Sequence, residues 1–155
     1  MDADVALEPY PDIVGCESAF IGFCGGFDGR QDCSPIAAAG VCRVVAVDRD
    51  PARIAGMPDL YPDSWRFVEA DVYSEASKLS DHGQRFDLVS LDPYTSDMEE
   101  CAQWVALWCS LASIRVVIGT QRHTEIYPPE PWTILENMQR STFNGGVYWT
   151  VLGIA

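Results

Sequence analysis

Short apolar runs that stop at turn-forming residues recur through the first hundred positions of this chain. Residues 43–47 (RVVAV), 66–70 (RFVEA) and 86–91 (FDLVSL) are rich in β-branched and aromatic side chains, and an aspartate follows each of them. An earlier run, residues 19–25 (AFIGFCG), leads into a second consecutive glycine, Gly26. Runs of this length between turn residues are typical of buried strands.

Stretches with helical features separate these runs. Residues 35–40 (PIAAAG) end in a glycine stop, and Pro51 stands at a first helical position. The clearest helix begins at a capping box of Ser96 with Glu99 and carries apolar residues at helical spacing as far as Ala112. Strands that alternate with helices imply a parallel sheet that is covered on both faces.

The C-terminal third predicts a strand, a helix and a last strand, at residues 114–119 (IRVVIG), 132–140 and 147–154 (VYWTVLGI). We therefore predict an α/β fold, a three-layer sandwich with a mostly parallel sheet and an antiparallel C-terminal strand. Residues 1–155 are interpreted as a single domain, with an irregular lead-in over residues 1–12.

Charge and composition restrict the partners and the location. The chain has 23 acidic and 10 basic residues, and 20 of the acidic residues but only seven of the basic ones lie in the first hundred positions. Such a surface repels phosphate backbones, which disfavours duplex DNA as a partner. No apolar run approaches the roughly 20 residues needed to span a bilayer, and no signal peptide is visible, so we expect a cytoplasmic location without a membrane partner.

The six cysteines show neither a C-x-x-C spacing nor a nearby histidine pair, so we predict no metal site. Cys24, Cys42 and Cys109 lie inside apolar runs and are interpreted as small buried hydrophobic residues.

In an open α/β sheet, ligands bind beyond the carboxyl ends of the strands. The residues directly after the apolar runs are the double glycine and Asp48, Asp71 and Asp92. A single aspartate in such a place is more often a cap or a turn residue. Three in succession after a double glycine favour a binding site.

Residues 19–119 resemble a class I S-adenosylmethionine (SAM)-dependent methyltransferase. FIGFCGGF is similar to the glycine-rich loop after that family's first strand, VVAVDRDP to its second motif, FVEADVY to its third and FDLVSLDPY to its fourth. The resemblance implies a Rossmann-like core, SAM as the cofactor and methyl transfer as the activity.

The resemblance also implies roles for the cofactor-binding residues. Cys24, Gly25 and Gly26 would form the loop beside the methionine part of SAM, because glycine allows close approach of the backbone. Asp48 would accept hydrogen bonds from the two ribose hydroxyls.

The adenine end of the cofactor is assigned in the same way. Arg49 would flank the adenine, with a solvated arginine as the equal alternative. Asp71 would accept from the adenine amino group, while Val72 would donate its backbone N–H to a ring nitrogen and pack on the ring.

The resemblance makes Asp92-Pro93-Tyr94 the catalytic motif. It is similar to the Asp-Pro-Pro-Tyr signature of methyltransferases that act on amino groups, although one proline stands here where the commoner signature has two. The carboxylate and a backbone carbonyl would accept the amino protons, and the aromatic ring would stack on the target. His123 is a further candidate, as a general base.

Other functions receive less support from the sequence. The glycines fit a dinucleotide-binding fingerprint poorly, and no phosphate-binding loop or hydrolase elbow is present. The alternative from another class is a methyltransferase-fold protein with weak or no catalysis that binds a protein partner.

For an enzyme, the charge favours a small-molecule or protein acceptor over duplex DNA, and RNA remains open if a partner subunit supplies the basic surface. An exposed C-terminal edge of the sheet would lead to a homodimer or a heterodimer.

Overall fold

The computed structural model describes residues 16–23, 30–93, 97–120, 125–140 and 147–154. Within these ranges, helices cover both faces of one sheet. The α/β class and the three-layer arrangement are therefore confirmed. None of the helices in these ranges has the length and apolar character that a membrane crossing requires.

The sheet holds every strand that the structure describes. The strands are β1 (Ser18–Gly22), β2 (Arg43–Asp48), β3 (Trp65–Glu69), β4 (Phe86–Leu91), β5 (Ala112–Thr120), β6 (Trp132–Arg140) and β7 (Val147–Ile154). Their order is β3-β2-β1-β4-β5-β7-β6. Strands β1 to β5 pair in parallel, and β7 is antiparallel to both β5 and β6, as expected for a C-terminal antiparallel strand.

The helices connect the parallel strands. They are α1 (Arg30–Ala38), α2 (Pro51–Ile54), α3 (Val72–Asp81), α4 (Met98–Gln103) and α5 (Val105–Leu111), with a 3₁₀ turn at Met57–Asp59. The predicted long helix is thus two helices that meet at Trp104. Its first described residue is Asp97, since Ser96 of the predicted capping box lies outside the described residues.

The prediction of a helix over residues 132–140 is wrong, because this segment is strand β6. Leu135, Glu136 and Gln139 are good helix formers, but the segment pairs along its length with β7, and a bulge lies between Ile134 and Glu136. Cross-strand pairing therefore overrides local propensity here. After β5, the described residues contain two strands, β6 and β7, where the sequence indicated one.

The core lies on both faces of the sheet, as the alternation along β1 shows. Phe20 faces α3 and α5, with its ring centroid 5.9 Å from Phe86 and 6.5 Å from Trp108. Its neighbour Ile21 faces the other way, toward Ile36 of α1. Each of these side chains is at most 1% exposed.

The cysteines divide between core and surface. Cys109 is buried in α5, as predicted, and burial raises its pKa to about 12. Cys42 is exposed, which contradicts its interpretation as a buried residue, because it lies just before β2 rather than inside it. Cys24 lies outside the described residues.

Candidate functional site

The carboxyl ends of β2, β1 and β4 lie side by side at one edge of the sheet. The backbone N–H of Phe23, just after β1, donates to the Val47 carbonyl at 3.1 Å, and that of Asp92 donates to the Gly22 carbonyl at 3.2 Å. Asp48 and Asp92 therefore flank the end of β1, about 10 Å apart by the spacing of strands. The first and the third aspartate of the predicted set share this edge.

A small open cleft, with a volume of about 30 Å³ between the described residues, lies at this edge. Its lining comes from the residue after β1, the end of β2, the start of α3 and the start of α4: Phe23, Asp48, Arg49, Asp71, Val72, Tyr73, Asp97 and Glu100. Four of the seven predicted cofactor-binding residues are thus brought together. Its volume is well below that of a complete small-molecule site, so these residues form only a part of any site for a ligand of that size.

Asp48 is a buried carboxylate at the base of the cleft. It is only 1% exposed, and its Oδ1 accepts a hydrogen bond of 2.8 Å from the backbone N–H of Asp50. A charged group at such depth requires polar partners. The tight turn into α2, which Asp50 caps through the N–H of Ala52, therefore fixes the orientation of Asp48.

Asp71 has a structural role in the cleft. Its Oδ1 accepts from the backbone N–H of Ser74 at 2.9 Å and so caps the N-terminus of α3. The side chain is exposed, whereas Val72, the first residue of the helix, is 3% exposed. The capping contact leaves Oδ2 of Asp71 as the oxygen that can face a ligand.

We predict that Asp71→Ala lowers the free energy of unfolding by about 1 kcal/mol, the usual cost of losing an N-cap. Asp71→Asn retains a capping oxygen and should keep most of that stability. Urea unfolding of the two variants beside the wild type measures the difference. Equal losses in both variants would contradict the capping role.

Gly22 was not recognised as a site residue from the sequence. A Cβ at this position would lie 2.7 Å from Val72 Cγ1 and 2.8 Å from Leu91 Cδ2, so the end of β1 requires glycine in order to pack. The next residue, Phe23, has φ of 59°, a left-handed conformation that is uncommon outside glycine and is often found at functional sites. The chain therefore turns sharply here, at the start of the glycine-rich segment.

Asp97 is a second residue that sequence reasoning missed. It is 9% exposed, and its Oδ2 lies 3.5 Å from the Arg49 guanidinium without a hydrogen-bond partner among the described residues. The guanidinium itself is largely exposed at the mouth of the cleft. No local pattern in the sequence indicates this pairing, because the fold alone brings the end of β2 beside α4.

Tyr73 links the cleft to the core. Its hydroxyl donates to the Asp97 carbonyl at 3.4 Å, and its ring packs against Phe23, Trp104 and Trp108 at centroid distances of 5.6, 5.1 and 5.6 Å. Burial, together with negative charge from Cys101 and nearby carboxylates, raises the pKa of Tyr73 well above its usual value. The hydroxyl therefore remains a protonated donor that holds the backbone of Asp97 in place.

The remaining predicted residues are not in the lining of this cleft. Asp92 is half-buried and Pro93 is buried, both on the β4 side of β1. Several predicted residues lie outside the described part of the chain, namely Cys24, Gly25, Gly26, Tyr94 and His123.

Comparisons with known proteins give structural neighbours only. No protein-family profile matches the sequence, and no curated protein matches it. Among solved structures, a candidate SAM-dependent methyltransferase from Streptococcus mutans superposes with a TM-score of 0.75 at 12% identity, over 98% of this chain and 47% of that one.

Two further solved structures also superpose on most of this chain. SMU.776, a candidate methyltransferase complexed with SAH, gives a TM-score of 0.72 at 13% identity, over 91% of this chain and 46% of that one. TrmN from Thermus thermophilus superposes with a TM-score of 0.70 at 18% identity, over 99% of this chain and 48% of that one. This chain spans about half the length of these neighbours. The strand order, the antiparallel last strands and these superpositions together show that the chain has the Rossmann-like fold of the class I SAM-dependent methyltransferases.

Proposed function

We propose that this chain binds SAM in the cleft at the end of β2 and serves in methyl transfer from that cofactor. One observation carries the proposal: the buried carboxylate of Asp48, fixed in orientation, lies at the ligand-binding edge of a methyltransferase fold. A carboxylate in this place is suited to accept hydrogen bonds from both hydroxyls of a ribose.

The residues of the cleft suit SAM in charge. Val72 adds an apolar surface to the lining. Four carboxylates line the cleft against one arginine. Such an excess of negative charge complements SAM, whose sulfonium and ammonium groups exceed its single carboxylate.

Oδ2 of Asp97 lies 3.5 Å from the Arg49 guanidinium but accepts no hydrogen bond from the described residues, which supports the presence of a further donor in the cleft. Buried polar atoms are nearly always hydrogen-bonded, and an orphaned one is often completed by a ligand or by water. The adenine amino group is a donor of the right kind. We propose that Asp97 Oδ2 and Asp71 Oδ2 are its two candidate acceptors.

When bound, SAM supplies a methyl group on a positively charged sulfur. The chain's contribution is then positioning, which accounts for much of the catalysis in transfers of this kind. We propose that Asp92 and the carbonyl of Pro93 accept the protons of an acceptor amine, and that Tyr94 stacks on it. The hydrogen bond from Asp92 N–H to Gly22 ties this segment to the end of β1.

We propose the class of methyl acceptor from the net charge of the chain. The net charge of −13 favours a small molecule or a protein over duplex DNA, with RNA an acceptor only beside a basic partner subunit. A homodimer or heterodimer through β6 is the proposed assembly, because this edge strand exposes Ile134 and Leu135. A cytoplasmic location stays a prediction.

The alternative is an interaction module without catalysis. The observation that favours it is Phe23, a bulky residue held at positive φ just after β1, in the segment that resembles the cofactor-binding loop. Cofactor binding separates the two functions. If the altered loop is the reason why catalysis is lost, the loop no longer holds SAM, and the module does not bind it.

Calorimetric titration with SAM tests the proposal. We expect a 1:1 complex and a rise in melting temperature, since a ligand at about 100 times its Kd stabilises the native state by about 2.7 kcal/mol. Transfer from methyl-labelled SAM to separate pools of metabolites, proteins and RNA then identifies the acceptor class. Absence of binding at millimolar SAM would refute the enzymatic function and favour the module.

A further inference from the structure

A second cleft lies away from the proposed cofactor site, near the amino ends of the strands. It is open, with a volume of about 460 Å³. One wall comes from the starts of β2, β3 and β4, and the other from one face of α3 and the residues after it. The polar and charged lining residues are Arg43, Ser64, Arg66, Glu75, Lys78, His82 and Gln84.

The charge of this cleft is opposite to that of the chain. Three arginine or lysine residues line it against one acid, Glu75. The first hundred residues contain only seven such cations among 20 acids, and Lys78 is the only lysine of the sequence. Cations that are scarce elsewhere are therefore concentrated in one concave surface.

Several segments of the chain contribute these cations. Arg66 lies on the edge strand β3, Lys78 lies in the last turn of α3, and Arg43 opens β2. A charged residue on an edge strand commonly prevents sheet-to-sheet aggregation. That role explains Arg66 alone, because Arg43 and Lys78 are not on the edge strand.

The cations are available to a ligand to different degrees. Arg43 is anchored, since its Nη2 donates to the Arg85 carbonyl at 2.9 Å and its guanidinium lies 4.9 Å from the centre of the Phe86 ring. The exposed side chains of Arg66 and Lys78 form no ion pair or hydrogen bond with any residue in the described ranges. Neighbouring cations without a carboxylate partner repel one another unless an anion lies between them.

We propose that this cleft binds a small ligand that carries phosphate groups. Arginine and lysine recognise phosphate through charge-assisted hydrogen bonds, and Gln84 adds an exposed amide donor. The cleft is large enough for a ligand of nucleotide size. A compact anion is favoured over a nucleic acid strand, because a strand would run on across a surface of net charge −13.

Calorimetric titration of the full chain with inorganic pyrophosphate at low ionic strength tests this site. Pyrophosphate lacks an adenosyl group, so the proposed cofactor cleft does not compete for it. We expect 1:1 binding, weakened about tenfold or more by Arg66→Gln and by Lys78→Gln, the usual value of a charged hydrogen bond. Both residues are exposed, so the variants should fold.

Two kinds of variant act as controls. One removes a negative charge from the cleft, and the others change a charge outside it. Glu75→Gln removes the one acid of the lining and should tighten binding, while Asp59→Asn, the same charge change outside the cleft, should leave it unchanged. Arg53→Gln likewise should have no effect. Equal weakening by Arg53→Gln and Arg66→Gln would show a general charge effect and overturn the site.

Two further results would overturn the proposal. One is the absence of amide chemical-shift changes at residues 78–84 on addition of pyrophosphate. The other is tighter binding of a single-stranded oligoribonucleotide whose affinity grows with length and falls in Lys78→Gln, which would make the cleft part of a nucleic-acid surface. Failure of SAM to bind elsewhere would not affect either measurement.

Discussion

Replacement of Asp48 by alanine is expected to abolish SAM binding. Two charge-assisted hydrogen bonds to ribose hydroxyls are each worth about 1.5 kcal/mol or more, so their loss weakens binding by about a hundredfold or more. The substitution also leaves the Asp50 N–H without its acceptor, at a cost of about 1–3 kcal/mol to folding. Calorimetry at a temperature where the variant is folded measures the binding alone.

Asp48→Asn separates binding from folding. It keeps the volume and one acceptor oxygen for the Asp50 N–H but removes the charge, so it should fold and still lose most of the affinity for SAM. Asp50→Asn is the matched control, because Asp50 caps α2 outside the cleft and an asparagine caps equally well. If Asp48→Asn binds SAM as tightly as Asp50→Asn does, the cofactor is not held at Asp48.

The parts of the fold that the sequence predicts are those with strong local signals. Strands β2 and β4 are predicted to within one residue, because β-branched or aromatic runs end at an aspartate in both cases. The strand at 132–140 could not be predicted in this way, because its partner β7 begins several residues further along the chain. Helix α3 also gave little signal, because its sequence VYSEASKLSD contains few apolar residues.

The residues of the candidate site also differ in whether a local sequence pattern marks them. Asp48 is predictable, because a carboxylate directly after a buried parallel strand must lie at the ligand-binding edge. Asp71 occupies the predicted place but acts as a helix cap, which is the commoner use of such a residue. Asp97 and Gly22 depend on contacts between distant segments, so no local pattern marks them.

Gly22→Ala is expected to lower both stability and cofactor affinity. The added Cβ would overlap Val72 Cγ1 and Leu91 Cδ2, which belong to side chains that are 3% and 0% exposed and so have little room to move. Overpacking of this kind costs about 1–3 kcal/mol. Because Val72 also lines the cleft, any shift that relieves the overlap alters the cleft itself. Urea unfolding and SAM calorimetry of the same variant measure the two effects.

A second substitution tests whether the overlap is the cause. Val72→Ala removes Cγ1 and makes room for the new Cβ, so Gly22→Ala with Val72→Ala should be more stable than the two separate losses predict, a coupling measurable by a double-mutant cycle. Gly83→Ala is the control, because a Cβ at Gly83 meets no atom within 4 Å and its cost comes from positive φ alone. That variant should lose stability without losing affinity. If Gly22→Ala behaves in the same way, the end of β1 does not shape the cofactor site, and the glycine serves only the packing of α3 on the sheet.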